Sequence, residues 1–511
     1  METESQYPPR RQRLAIVFLA MLGTVMTMLD TTIANVALPH MRSTLGATQE
    51  QINWVLTSYI VATAVVIPAT GFLEQRLGRR QLFTFAVAGF TLSSAVCGLA
   101  WSLPTMIIAR LVQGLCGAVL APMAQTIMYD VNPPEERTQA MTIWSMGVMM
   151  APVFGPVLGG WLTDSFSWRW VFYINLPIGV VAAIGAWKLI PSPKVARQPF
   201  DAFGYVLIIT ALCAFQLMLD RGAEIDWFNS NEIWLDLGLG VAALWMYVVH
   251  TLTAKAPLIP LRLFKDRNFV VACIIIVANS GAMMAAGALM SPLIQGLMGY
   301  GTTAAGILMM PRGLAMACSM ITAGWLSSKI DPRIIVGLGI IIGASGQFIL
   351  TGMSPAMDSH LIILAGVVQG FGLGYVFLPL NMIGFASLSP DIRTYGASVF
   401  ALARNYGGSI MIAVSTAFFA HNIQINHNDL VGGVTSTHFP LLSGGIIEQF
   451  GFRGSQALGF VDMMINQQGL MISYIDAFYV LAVVTIAGLP LILLATRVKV
   501  NAGEVPLPDV H

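Results

Sequence analysis

Fourteen apolar stretches divide this chain, near 14–38, 51–73, 82–101, 103–128, 139–163, 170–190, 202–220, 232–253, 269–291, 304–326, 334–352, 361–385, 396–420 and 474–496. A helix needs about 20 apolar residues to cross a bilayer, and each stretch is read as one crossing. Of the 511 residues 56% are hydrophobic and 10% charged, at a mean hydropathy of +0.73. Soluble domains carry about 25% charge. A chain this apolar cannot cover its own surface with polar groups, which excludes a string of soluble domains. The fold expected is all-α and integral to the membrane. The run after the polar, basic residues 1–13 is too long for a signal-peptide core and reads as a retained first helix.

Lys and Arg set the sidedness, because cytoplasmic loops carry them in excess. With a cytoplasmic N-terminus, nineteen lie on the cytoplasmic side, four (Arg42, Arg169, Arg221, Arg453) on the other, and three (Arg110, Arg312, Arg404) inside spans. A wrong span count would scramble that parity, so the bias supports fourteen spans and two cytoplasmic termini. One long connection, 422–472, falls outside. It reads either as a plain connection or as a docking surface for an external partner.

The chain repeats itself. Gly71, Leu73, Arg76 and Arg80 after the second span recur as Gly324, Leu326, Lys329 and Arg333 after the tenth. Val112-Gln113-Gly114 in span four recurs as Val368-Gln369-Gly370 in span twelve. Both shifts are about half the chain. The expected division is a cytoplasmic tail over 1–13, a six-helix bundle over 14–190, an inserted helix pair with its linkers over 191–268, a second six-helix bundle over 269–496 that includes the loop 422–472, and a cytoplasmic tail over 497–511. Repeated six-helix halves are a transporter architecture, with the substrate near the midplane between them.

A charge inside a span costs at least about 2.5–3.5 kcal/mol. Asp30 and Arg110 lie at equal depth, roughly 10–12 Å below the outer surface at 1.5 Å per residue. Equal depth permits a pair. Burial raises the pKa of an Asp and a neighbouring Arg lowers it, which suits a group that loads and releases a proton. Asp30 is the expected carrier and Arg110 the group that tunes it; the alternative is a static interhelical ion pair. Arg312 and Arg404 each fit two roles, holding an anionic substrate or carbonyl in the cavity, or tying helices together. With them, the polar residues inside spans, Asn35, Gln125, Gln369 and Asn381, form the expected substrate set. Gly147, Ala151, Gly155 and Gly159 recur every fourth residue and make one small-residue stripe on span five, where Pro152 and Pro156 bend the helix. A close, bent contact of that kind suits the interface between the halves, and plain tight packing is compatible.

Other classes fit poorly. None of the six Lys follows a Gly, which removes a P-loop. The Gly370-Gly372-Gly374 run lies inside a span and follows no strand, and no catalytic pair of acids or His ligands stands out. The five Cys sit in apolar stretches without metal or disulfide spacing. Net charge +1 argues against nucleic acid. Neither metal nor cofactor is expected.

Several segments resemble one family. Leu29 to Pro39, which holds Asp30, is similar to the first-helix signature of the 14-helix drug:proton antiporters of the EmrB/QacA type. Gly71 to Arg80 resembles the loop 2–3 motif of the major facilitator superfamily, and Arg110-Gln113-Gly114 its helix-4 motif. Gly147, Pro152, Gly155, Pro156, Gly159 and Gly160 resemble the helix-5 antiporter motif. Segments 168–179, with Asn175, and 201–207 resemble elements of the 14-helix branch, and 219–228 the EmrB-type exporters in particular. The resemblance implies a major facilitator fold of 6 + 2 + 6 helices in a bacterial inner membrane. It implies proton-driven export of amphipathic drugs, powered by the proton gradient alone. It also implies a periplasmic membrane-fusion adaptor and an outer-membrane channel as partners. Uptake by a proton symporter is the alternative. By the same resemblance Gly71, Arg76, Gly78 and Arg80 belong to the gate; Asp130, at the cytoplasmic end of span four, is a candidate partner for Arg76 or Arg80, and the alternative is a solvated basic turn that merely follows the positive-inside bias. The family motif has Asp where this chain has Gln75, which leaves the acidic partner of the gate unassigned.

Overall fold

The computed structural model describes residues 7–191, 199–327, 329–354, 357–433 and 455–496. Fourteen helices in them are long and apolar enough to cross a bilayer, one of them bent. They are α1 (Arg10–Leu45), α2 (Gln51–Leu77), α3 (Arg79–Leu99), α4 (Leu103–Val131), α5 (Pro134–Ser165), α6 (Trp170–Leu189), α7 (Ala202–Arg221), α8 (Asn231–Thr253), α9 (Arg267–Leu297), α10 (Ala304–Ser327), α11 (Pro332–Leu350), α12 (His360–Ala386), α13 (Arg393–Gly432) and α14 (Gly459–Ile492). All fourteen expected spans are present. Helices satisfy their own backbone polar groups, which lipid cannot do. Starts are set by side chains that accept from the first free N–H groups: Thr48 for α2, Asp201 for α7, Ser230 for α8 and Asp266 for α9. α5 bends by 41° between Ala151 and Phe154.

The expected loop 422–472 is largely helical. α13 continues to Gly433 and helix resumes at Ser455. Asn-rich sequence reads as a loop by propensity, but these side chains pair across the two helices. Asn422 and Asn426 donate to Asp476 at 3.2 and 3.4 Å, and His427 bonds Asn466 at 3.0 Å. The middle of that loop, 434–454, lies outside the described residues, as do 1–6, 192–198 and the tail 497–511.

Packing repeats as the sequence does. α1 packs on α5 and α6, α2 on α4, and α3 on α4 and α6; correspondingly α9 packs on α13 and α14, α10 on α12, and α11 on α12 and α14. Contacts between the halves follow the same two-fold rule: α5 meets α10, and α13 meets α2. The axis is visible in side chains. Gln125 donates to Asn381 at 2.5 Å across an offset of 256 residues, the offset that separates Gln113 from Gln369. One turn on, the Tyr129 and Phe385 rings, at the same offset, stack at 5.6 Å. Equivalent residues can meet in this way only beside the axis that relates them.

The inserted pair fills the seam between the halves. α7 packs on α2 and on α13. Tyr205 donates to the Val65 carbonyl of α2 at 3.0 Å, Tyr406 of α13 donates to the Leu212 carbonyl of α7 at 2.6 Å, and Gln216 donates to Ser409 at 3.1 Å.

Close approach within the second bundle depends on glycine. A Cβ on Gly372 would lie 2.8 Å from the Gly339 carbonyl oxygen of α11, whereas one on Gly238 meets nothing within 4 Å. Overpacking costs about 1–3 kcal/mol. Gly372→Ala therefore lowers the melting midpoint of the purified protein and Gly238→Ala leaves it unchanged; equal midpoints would refute this packing.

Candidate functional site

The structure brings Asp30 and Arg110 together. Both are fully buried, and Arg110 Nη1 donates to Asp30 Oδ2 at 2.5 Å. Two neutral amides complete the carboxylate's shell: Gln113 Nε2 and Asn175 Nδ2 each donate to Oδ1 at 2.9 Å. Asn175 also donates to Ser94 Oγ at 3.0 Å, and Gln113 Oε1 accepts from Arg110 at 2.8 Å. Arg110 Nε donates to the Val55 carbonyl at 3.0 Å, and the guanidinium lies 4.4 Å from the centre of the Tyr59 ring. Spacing i, i+3 puts Arg110 and Gln113 on one face of α4. A carboxylate accepts several hydrogen bonds and, once protonated, becomes a donor. Arg110 Nη2 and Asn175 Oδ1 are buried without a partner. A buried pair that loses one charge strands the other, at about 3–5 kcal/mol. Protonation of Asp30 therefore unsettles a contact that joins α1, α2, α3, α4 and α6. Sequence reasoning quoted Gln113 and Asn175 as motif members without giving them this role, and it missed Ser94.

Part of the expected substrate set shares a central cavity between the halves. Gln125 of α4, Trp144 of α5, Phe377 and Asn381 of α12, and Phe400 and Arg404 of α13 line it. Asn35, Arg312 and Gln369 lie elsewhere. Asn35 is exposed on α1. Arg312 donates to the Met283 carbonyl at 3.0 Å inside the second bundle. Gln369 is 1% exposed, packs toward Gly346 of α11, and neither atom of its amide has a partner.

The end of the bundle at which α1 starts and α14 ends is closed by contacts between the halves. Asp130 of α4 binds Arg79 at 2.7 Å and, across the halves, Arg393 of α13. The expectation of Arg76 or Arg80 as its partner is corrected. Gly78, at φ +84°, ends α2 and starts α3 in one residue, which presents Arg79 to the end of α4. Arg76 lies instead over Phe72 at 5.9 Å and Arg80 over Trp187 at 5.1 Å. Glu74 pairs with Arg79 at 2.8 Å. Gln75, in place of the family's Asp, accepts from Tyr395 Oη of α13 at 3.3 Å, a neutral bond between the halves. Gly71 makes room for that ring, since a Cβ there would lie 2.6 Å from it. Thr394 and Thr126 bond at 3.2 Å, and Tyr129 donates to the Asn381 carbonyl at 3.3 Å.

The glycine stripe of α5 faces α1, within the first bundle, and not the second half. A Cβ on Gly147 would strike Met21, one on Gly155 would strike Thr32, and one on Gly159 would lie 3.0 Å from Ile33; Gly160 meets nothing within 4 Å. Other residues of α5 meet α10, Thr142 beside Gly324 and Val157 beside Gly306. The stripe and these residues share a helix and take different partners, which hydropathy cannot reveal.

The family model described as Major Facilitator Superfamily matches residues 20–412. Fatty acid resistance protein FarB of Neisseria gonorrhoeae is 35% identical over 96% of this chain and 97% of its own length. Multidrug export protein EmrB of Escherichia coli is 33% identical over 94% of each. The crystal structure of the human organic anion transporter MFSD10 aligns over 95% of this chain and 100% of its own at a TM-score of 0.60, with 14% identity, a likeness of fold alone. Fourteen helices in two repeated halves and a family match over most of the chain have one reading: this multi-pass membrane protein belongs to the Major Facilitator Superfamily of transporters.

Proposed function

We propose that this protein is a proton-driven exporter of amphipathic compounds in a bacterial inner membrane. Export is supported by the relatives, whose names are those of multidrug export and fatty acid resistance proteins. Proton coupling rests chiefly on the buried network around Asp30. A carboxylate sealed from solvent, matched by one guanidinium and two amides, has two states of unequal packing, and a transporter needs a titrating group of that kind.

Among the described residues, the hydrogen bonds and ion pairs that join the two halves directly lie in the part toward the terminal face, from Gln125–Asn381 down to Gln75–Tyr395. Lys and Arg crowd that face, which supports reading it as the cytoplasmic one. These contacts, in this reading, close the cytoplasmic side. In this reading Asp30 takes a proton from outside, Arg110 loses its counter-ion, and α1 shifts in its seam with α5. The Asp130–Arg393 and Gln125–Asn381 contacts part as the halves rock. Substrate enters from the cytoplasmic side, and Asp30 returns its proton there. Binding energy alone cannot drive this cycle uphill; the proton gradient does.

An external adaptor and outer-membrane channel belong to the same reading. What supports them is the length of α13 and α14. Forty residues reach about 60 Å, twice the bilayer core, so the two helices stand well clear of the outer face. Their polar pairing makes a stiff stem on which a partner can sit.

Two tests follow. Asn in place of Asp30 keeps the shape of the side chain and removes the titration. Asp30→Asn abolishes drug-induced proton movement in everted vesicles while leaving expression intact, and unchanged proton movement sinks the assignment. The direction of that movement also separates export from symport. At the gate, Asp130→Ala or Arg393→Ala frees the terminal face. On a cysteine-free background, a cysteine at Ala401 then reacts faster with a membrane-impermeant maleimide applied to everted vesicles, and the double variant reacts no faster than either single one, because both remove one contact. Unaltered labelling would mean that this pair does not hold the face shut.

A further inference from the structure

The spans of the two halves differ in charge, although their helices repeat. In the first half the guanidinium of Arg110 has its carboxylate, Asp30. In the second half Arg312 has a backbone carbonyl, and Arg404 makes no hydrogen bond or ion pair among the described residues. Carboxylates among the described residues of α9–α14 are Asp429, Asp462 and Asp476. Asp476 is held by Asn422, about 27 Å along α13 from Arg404. Arg stays protonated in proteins. A charge without a counter-ion, buried inside a membrane span, marks a ligand pathway.

Its surroundings say what the ligand is like. Arg404 lines the space that both halves build, a cavity of about 10 Å³ here that widens to take a ligand when the halves rock. The Phe377 ring lies 6.0 Å from the guanidinium, and Trp144 and Phe400 complete an aromatic wall. Gln125 and Asn381 make a polar floor that also joins the halves. A cationic head group would meet uncompensated positive charge here. A carboxylate or sulfonate would meet a planar fork of donors that matches its oxygens, and a flat apolar body would lie against the rings.

We propose that Arg404 is the substrate-anchoring residue and that the central cavity takes amphipathic organic anions, carboxylates or sulfonates on an aromatic or acyl body. This rests on the exporter reading above and narrows its substrate class. Arg312, tied to Met283, holds helices and does not select substrate.

The test compares two probes with one ring system and opposite heads, a pyrenesulfonate and a pyrenyl-trimethylammonium. Binding is measured to the full chain in nanodiscs, and transport in proteoliposomes under a proton gradient. Arg404→Gln weakens sulfonate binding by roughly tenfold or more, the worth of a charged hydrogen bond, and leaves ammonium binding within about twofold. Arg404→Lys keeps the charge and restores most of the sulfonate affinity, which separates anchoring from misfolding. Arg312→Gln leaves the preference between the two heads unchanged. Equal losses for both probes, or wild-type sulfonate affinity in Arg404→Gln, would overturn the proposal. Wild-type protein that binds the sulfonate through Arg404 and transports neither probe keeps this assignment and rejects the exporter reading. Wild-type protein that exports the ammonium with no Arg404-dependent sulfonate binding does the reverse.

Discussion

The ion pair between Asp30 and Arg110 is the contact around which the first bundle is organised. Lipid offers no water to either charge, so each must find its partners inside the protein. α1 brings the carboxylate, α4 the guanidinium and Gln113, α6 Asn175, α3 Ser94, and α2 the Val55 carbonyl. Five of the six helices are therefore positioned by one buried carboxylate and its partners. Hydrocarbon packing alone would leave their rotation about their axes weakly set, because lipid tails are as apolar as the side chains that face them.

α5 is the helix that the network leaves out, and it completes the mechanical path. Its glycines lie against Met21, Thr32 and Ile33 of α1, the last two within a turn of Asp30, while Thr142 and Val157 lie beside glycines of α10 in the second half. Any shift of α1 is thus felt at the inter-half contact through backbones too close to slide independently. The two-fold relation supplies the matching contact, α13 on α2. There Gln75–Tyr395 holds the closed face, with Asp130–Arg393 beside it between α4 and α13. A neutral Gln–Tyr bond stands where the family motif leads one to expect a charged contact, and the carboxylate at this face is Asp130, which binds an arginine from each half.

Legibility in the sequence followed the range of the interaction. Span number came from local hydropathy and agreed throughout. Asp30 and Arg110 were found because buried charge is scarce and their depth is set by counting from span ends. Gln113 and Asn175 were not picked out as donors to Asp30, since their partner lies 83 and 145 residues away and neutral amides are common. Arg79 was passed over for Arg76 and Arg80 because the turn at Gly78 decides which of three arginines faces α4. The direction of the glycine stripe depends on how α5 is rotated, which spacing does not give. The helical stem of α13 and α14 was read as a loop because asparagine disfavours helices unless its amide has a partner, and here the partner is on another helix.

Repetition also explains why the halves differ where they do. The offset that carries Gln113 onto Gln369 carries Arg110 onto Gly366, and the offset of the loop motifs carries Asp30 onto Met283. The second half thus has the amide and neither charge. Arg312 reaches from α10 into the space beside Gly366 and finds only the Met283 carbonyl, while Gln369 is left buried with no partner. A carboxylate at that position would have neutralised the second half and given it a proton site of its own. Its absence leaves a compensated charge pair in the first half and uncompensated positive charge in the second. On the reading proposed above the two halves divide the work: the compensated charge serves the proton, and the uncompensated charge serves cargo. Such a division needs the halves to be joined near the axis. There Gln125 and Asn381 meet as the floor of the cavity and as part of the closed face, so occupancy and closure act on the same hydrogen bond.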